Sequence, residues 1–154
     1  MVLDISHTNV TFRCSAIIHK LHQIESLILS ESSLSDFGLS KLLKSFGTNL
    51  KNLVLNKTNI TLKNVIIHES KFKELTHLEL SGCKNISSFN IAVILSVTCA
   101  TLKHVNIGFT SISVFDFERS VNFKSLEKVW FNGCSKLTEH GLAGKNVLCF
   151  NVKI

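Results

Sequence analysis

The sequence predicts an α/β solenoid, a stack of coils that each lay one strand into a parallel concave sheet and place a helix or irregular turn on the convex side. The first observation is a recurring phrase, aliphatic-x-x-aliphatic-x-aliphatic, at Ile24/Leu27/Leu29, Leu50/Leu53/Leu55, Leu75/Leu78/Leu80, Leu102/Val105/Ile107, Leu126/Val129/Phe131 and Val147/Phe150/Val152. A partial copy, Leu3/Ile5, opens the chain. The second is the spacing of the first positions, 26, 25, 27, 24 and 21 residues, which falls in the range of solenoid repeats. The third is a short polar or thiol residue three positions past the last aliphatic: Thr8, Ser32, Thr58, Cys83, Thr110 and Cys134.

Each element follows from these. The end of the phrase alternates apolar and polar residues, the period-two mark of a strand with one buried face. Six strands and a partial first one are expected, all parallel. The intervening residues face outward in three columns. The first column is Val2, Ser26, Asn52, His77, His104, Lys128 and Cys149; the second is Asp4, Ile28, Val54, Glu79, Asn106, Trp130 and Asn151. The third runs Ser6, Ser30, Asn56, Ser81, Gly108, Asn132 and Lys153. The Thr, Ser or Cys of each turn supplies a small donor for backbone groups buried between coils. An aliphatic then returns the chain to the core: Val10, Leu34, Ile60, Ile86, Ile112 or Leu137. The two cysteine coils carry one extra residue before it, so two turn types alternate.

The rest of each coil reads as helix. Ser35-Asp36 and Thr138-Glu139 have capping chemistry. Over Asp36 to Phe46, the residues Phe37, Leu39, Leu42, Leu43 and Phe46 form an apolar stripe at helical spacing. Phe89 to Val97 and Leu62 to Ile67 repeat it. Ser113 to Phe123 is ambiguous, because Val114, Phe115 and Phe117 crowd together. Proline is absent.

A single domain spanning 1–154 is expected, since a repeat array is one continuous unit. Hydrophobic content of 45% with 18% charge suits coils that each point several aliphatics inward. The richest apolar stretch, Ile91 to Val97 with Phe89, is too short to span a bilayer, so no membrane role is expected. The net charge of +6 comes from lysines scattered without runs or interleaved aromatics. That argues against nucleic acid as ligand, and an acidic protein partner would use the same charge. Five cysteines are an odd number, and the repeat explains several of them, so Cys83, Cys99 and Cys134 are expected inside, reduced and inert. The start, Met1-Val2-Leu3-Asp4-Ile5, has no basic region or apolar segment of a secretory signal, which points to the cytoplasm or nucleus and leaves the Asn9, Asn56, Asn59 and Asn85 sequons as by-products of the repeat.

Two stretches carry a family resemblance. Leu75-Thr-His-Leu78-Glu-Leu80-Ser-Gly-Cys83-Lys-Asn-Ile86-Ser, continuing to Cys99-Ala-Thr-Leu102, is one; Phe131-Asn-Gly-Cys134 with Leu137-Thr-Glu-His-Gly141-Leu142 is the other. Ser35-Asp36-Phe37-Gly38-Leu39 matches the helix start. They resemble the cysteine-containing leucine-rich repeats of F-box/leucine-rich-repeat proteins and mitotic-exit antagonist-like proteins. The resemblance covers nearly the whole chain and implies a ribonuclease-inhibitor-like horseshoe segment. It further implies the substrate-holding part of a cullin-type (SCF) ubiquitin-ligase adaptor, with ligase components as partners where an F-box precedes the repeats. No segment here is left over for an F-box. The chain starts in mid-coil and stops on Val152-Lys153-Ile154, which predicts a piece of a longer protein or ends covered by partners.

The expected site is a protein-binding surface on the concave face: Trp130, Lys128, Asn106, His104, Glu79, His77, Val54 and Ile28. Trp130 is the only tryptophan, and exposed aromatics of this kind anchor interfaces; the alternative is that it covers the end of the array. His77, His104 and Glu79 are the nearest approach to a zinc set, but no Cys-x-x-Cys pair accompanies them, and no metal is expected. The chain has no Gly-x-Ser-x-Gly, phosphate loop or His-Glu-x-x-His, so neither catalysis nor a cofactor is expected. Two function classes follow: a partner- or substrate-binding adaptor, and a structural or assembly factor resembling leucine-rich-repeat proteins associated with mitochondrial ATP synthase or respiratory complexes.

Overall fold

The computed structural model describes residues 1–9, 23–46, 49–63, 65, 72–122, 124–137 and 148–150. It is an α/β structure built on seven strands: β1 (Val2–Asp4), β2 (Ser26–Ile28), β3 (Asn52–Val54), β4 (His77–Glu79), β5 (His104–Asn106), β6 (Lys128–Trp130) and β7 (Leu148–Phe150). The strands lie in sequence order, β1 to β7, and every neighbouring pair is parallel. Three helices stand among the described residues: α1 (Asp36–Phe46), α2 (Ser88–Thr98) and α3 (Val114–Ser120).

Alternation sets the faces. Leu27, Leu53, Leu78, Val105 and Val129 are fully buried, in register with one another across the sheet. The apolar residue after each of β2 to β6 (Leu29, Leu55, Leu80, Ile107, Phe131) is buried too, and from β2 to β5 its N–H donates to the next coil, as from Leu55 to Glu79 O at 2.9 Å and from Leu80 to Asn106 O at 2.7 Å. Burial of these rows between coils is the main favourable term of the fold.

The turn after each of β1 to β6 contains one residue with positive φ: His7, Glu31, Lys57, Gly82, Phe109 and Gly133, with φ from 55° to 73°. Its N–H donates to the coil that follows, from His7 to Ser30 O, Glu31 to Asn56 O, Lys57 to Ser81 O, Gly82 to Gly108 O and Phe109 to Asn132 O, at 2.6–2.9 Å. That bond holds four non-glycine residues in a region their Cβ disfavours. Glycine takes the position only in the two cysteine coils.

The helices begin on side-chain caps. Ser87 and Ser113 oxygens accept from the N–H groups of Asn90 and Asp116, and Ser35 Oγ accepts from Gly38 N at 3.3 Å. Asp36 reaches into the next coil, accepting from Thr61 N at 2.8 Å and Leu62 N at 3.1 Å. Ser88 and Ser113 hydroxyls both bond the Asp116 carboxylate, and those bonds, Ser88 first, hold it below the usual carboxylate range.

Several expectations are corrected. Phe37 and Phe89 do not join the buried stripe: they are 55% and 71% exposed, because Leu39, Leu42 and Leu43, and Ile91, Ile94 and Leu95, already fill the inward sides of α1 and α2. Leu62, at φ 58°, is not helical; of the rest of the Leu62 to Ile67 stretch only Lys63 and Val65 are among the described residues. Cys99 is only half-buried, at a groove with Phe72, Val97 and Ala100, because it follows the last turn of α2 rather than pointing into the stack. In β7 the frame shifts by one: Cys149 pairs with Val129 and packs against the core, and Leu148 is exposed. Three consecutive apolar residues carry no period-two phase, so sequence could not choose between the two registers. Thr8 is exposed, because it lies in the coil of the sheet's edge strand β1, although its hydroxyl still donates to Ile5 O. Ser32 is buried, but its hydroxyl has no hydrogen bond among the described residues. The cap at Thr138-Glu139 and the residues Cys14, Val10, Asn151 and Lys153 lie outside the described residues.

Candidate functional site

The face of the sheet opposite the aliphatic rows carries the outward columns. Register places His77, His104 and Lys128 side by side, and beside them Glu79, Asn106 and Trp130. His77 and His104 meet edge-to-face with ring centroids 4.4 Å apart and planes at 86°. His104 and Trp130 repeat the arrangement at 6.1 Å and 83°. Such packing sets the positive edge of one ring against the face of the next. His77, Glu79, His104, Asn106 and Trp130, with Leu78 beneath, line a depression of about 110 Å³. Drug-sized ligands need roughly 300 Å³ or more, so this is space for a head group of one side chain.

Contacts within the same coil and from neighbouring coils aim these polar groups. Asn56 Nδ2 donates to Glu79 Oε2 at 2.6 Å, and Asn56 Oδ1 accepts from Ser81 N at 2.8 Å. Asn106 Oδ1 accepts from Gly108 N at 3.1 Å. Thr76 Oγ1 lies 2.8 Å from His77 Nδ1. His104 Nε2 is 3.4 Å from Glu127 Oε2, close enough for an ion pair with the protonated ring but not aligned as a hydrogen bond. Lys103 Nζ sits 2.9 Å from the other Glu127 oxygen and, through that bond, holds the carboxyl below its ordinary range. Burial, and then the adjacent His104, push the His77 imidazole below its ordinary value against the opposing pull of Glu79 and Glu127.

The structure thus gathers five of the eight expected residues into one depression. Lys128 stands beside His104 outside it, and Ile28 and Val54 extend the Glu79 column onto β2 and β3. Val54 is corrected: it is 8% exposed, a short side chain between the longer Ile28 and Glu79, and offers little contact surface. Sequence reasoning missed Asn56 and Glu127 as orienting groups. Their signal is register: Asn56 is two residues past Val54, and Glu127 immediately precedes Lys128. Among the described residues no three His, Cys, Asp or Glu side chains group as metal ligands. Among the described residues, too, no helix is long and apolar enough to cross a membrane. No family model matches the chain, and comparison with curated proteins returns no match.

Proposed function

We propose that this chain is a protein-binding leucine-rich-repeat solenoid whose outward sheet face, centred on Trp130, is the concave contact surface of a horseshoe. One observation carries the reading: the residues that alternation turns outward on three successive strands, His77, Glu79, His104, Asn106 and Trp130, converge on a single depression with the chain's only tryptophan at its border. A partially buried, orientationally held indole is the type of group that anchors protein interfaces. The space is too small for most metabolites and the face is broad, which favours a macromolecular partner. The cysteine coils support the substrate-holding arm of a cullin-type ubiquitin-ligase adaptor as the setting, and recovery of ligase components with the full-length protein tests that part separately.

The face is tested with a photo-crosslinking amino acid at Asn106 and, as a control, at Glu118 on α3. A discrete adduct, identified by mass spectrometry, is expected from Asn106 and is lost on Trp130→Ala. Equal crosslinking from Glu118, or an Asn106 adduct indifferent to Trp130→Ala, counts against the sheet face.

A further inference from the structure

We infer that the depression between Glu79 and Trp130 receives a basic side chain, lysine or arginine, of a protein partner; this rests on the protein-binding reading of the same face. The chain as a whole carries +6 with histidines counted neutral, but the depression has the opposite sign. Of its six lining residues, Glu79 alone is formally charged at neutral pH. Asn56 bonds one oxygen of that carboxylate, which aims the group without neutralising it. Glu79 and Trp130 share a column two strands apart, about 10 Å by inter-strand spacing, with Asn106 between them. An extended basic side chain laid across the strands therefore sets its aliphatic stem against the indole and its head on the carboxylate.

The surrounding charges leave that attraction standing. Lys103 and Glu127 neutralise each other at 2.9 Å. Lys128, beside His104 on β6, stands two strands from Glu79, so it lies near the stem and away from the head of a side chain laid in this way. Partial burial and the adjacent His104 lower the His77 pKa, which disfavours a competing positive charge on that ring. An acidic side chain would face Glu79 with nothing in the lining to offset the repulsion.

Trp130 fluorescence reports this depression alone, since the chain has no other tryptophan. Titration of the chain at neutral pH with arginine ethyl ester or lysine ethyl ester should give a saturable change, and sodium acetate at matched ionic strength should give none. Glu79→Gln should weaken the ester response roughly tenfold, the scale of one charged hydrogen bond. Lys128→Gln, outside the depression, should strengthen it. An equal response to acetate, or ester affinity unchanged in both Glu79→Gln and Lys128→Gln with intact circular dichroism, overturns the inference. If the esters fail while the Trp130-dependent crosslink from Asn106 persists, only the basic side chain is wrong; if both fail, the protein-binding reading falls with it.

Discussion

The Cys83 thiol and the Thr58 hydroxyl share one acceptor, the carbonyl oxygen of Leu55, at 3.0 and 2.8 Å, and lie 3.5 Å from each other. Cys134 and Thr110 repeat the arrangement on Ile107 O, at 2.9 and 2.6 Å. The threonine closes its own turn, whereas the cysteine reaches back one coil and ties two turns together. Removing either should cost about 1–2 kcal/mol, the value of a buried hydrogen bond and a small cavity. Each remaining side chain can still satisfy Leu55 O, whereas the double change leaves it only the longer 3.3 Å bond from Thr58 N–H, so Thr58→Ala with Cys83→Ala should exceed the sum of the single changes by about 0.5 kcal/mol. Urea denaturation of the four variants measures this, and strict additivity would show that the shared carbonyl has no energetic consequence.

Burial pushes the Cys83 thiol above its ordinary value of 9.0. The unfolded chain then releases that proton at lower pH than the folded one, so above about pH 9 the unfolded state binds fewer protons and stability falls with rising pH. The contribution is fully present below that pH. Cys83→Ser should flatten the alkaline decline. Native thiol labelling should modify half-buried Cys99 well before Cys83; the reverse order would contradict the buried ladder.

The glycines of the cysteine coils differ in what lies over them. A Cβ on Gly133 would overlap the Phe109 ring, whereas one on Gly82 would meet only the flexible Lys57 side chain at 3.0 Å. Both glycines have positive φ, a conformational cost of about 1–2 kcal/mol for alanine. Gly133→Ala should therefore destabilise more than Gly82→Ala, and Phe109→Ala should remove the difference. Thermal unfolding of these variants is the measurement.

How far the fold was legible follows from which physical signals are local. Leu53, Leu55, Leu78 and Leu80 alternate with polar neighbours, so strand phase could be read directly, and with it the placement of His77 and Glu79. Leu148-Cys149-Phe150 has no polar member, and there the phase was lost. The positive-φ position was visible only where Gly82 and Gly133 occupy it; His7, Glu31, Lys57 and Phe109 give no local sign, since the inter-coil hydrogen bond that holds them is made by chain about 25 residues away. The outward rings were legible as a list. Their convergence was not, because it depends on Asn56 turning Glu79 and on the edge-to-face contact of His104 with both neighbours.

Asp36 joins two coils. Its carboxylate accepts from the N–H groups of Thr61 and Leu62 and from Thr61 Oγ1, and it also lies in the first turn of α1, where negative charge complements the helix dipole. Asp36→Ala leaves the Thr61 and Leu62 donors without it and should cost about 2–3 kcal/mol. Asp36→Asn keeps an acceptor oxygen and should cost less. Equal midpoints for the two variants in denaturant would mean that the carboxylate acts through helix charge alone.

Trp130 and Val129 are adjacent on β6 but face opposite sides of the sheet. Val129 is fully buried between Val105 and Cys149, whereas Trp130 is partly exposed and contacts His104. Val129→Ala removes packed methyl groups and should lower stability by about 1–3 kcal/mol without altering partner contacts except through unfolding. Trp130→Ala should do the opposite, weakening partner binding by about 2 kcal/mol or more, on the scale of interface anchors, with a smaller effect on the unfolding midpoint. The two substitutions separate core from surface because they sit one residue apart on the same strand. If Trp130→Ala unfolds the protein as readily as Val129→Ala while the Asn106 crosslink persists in whatever remains folded, the indole belongs to the fabric of the sheet, and the contact surface must be sought on another face.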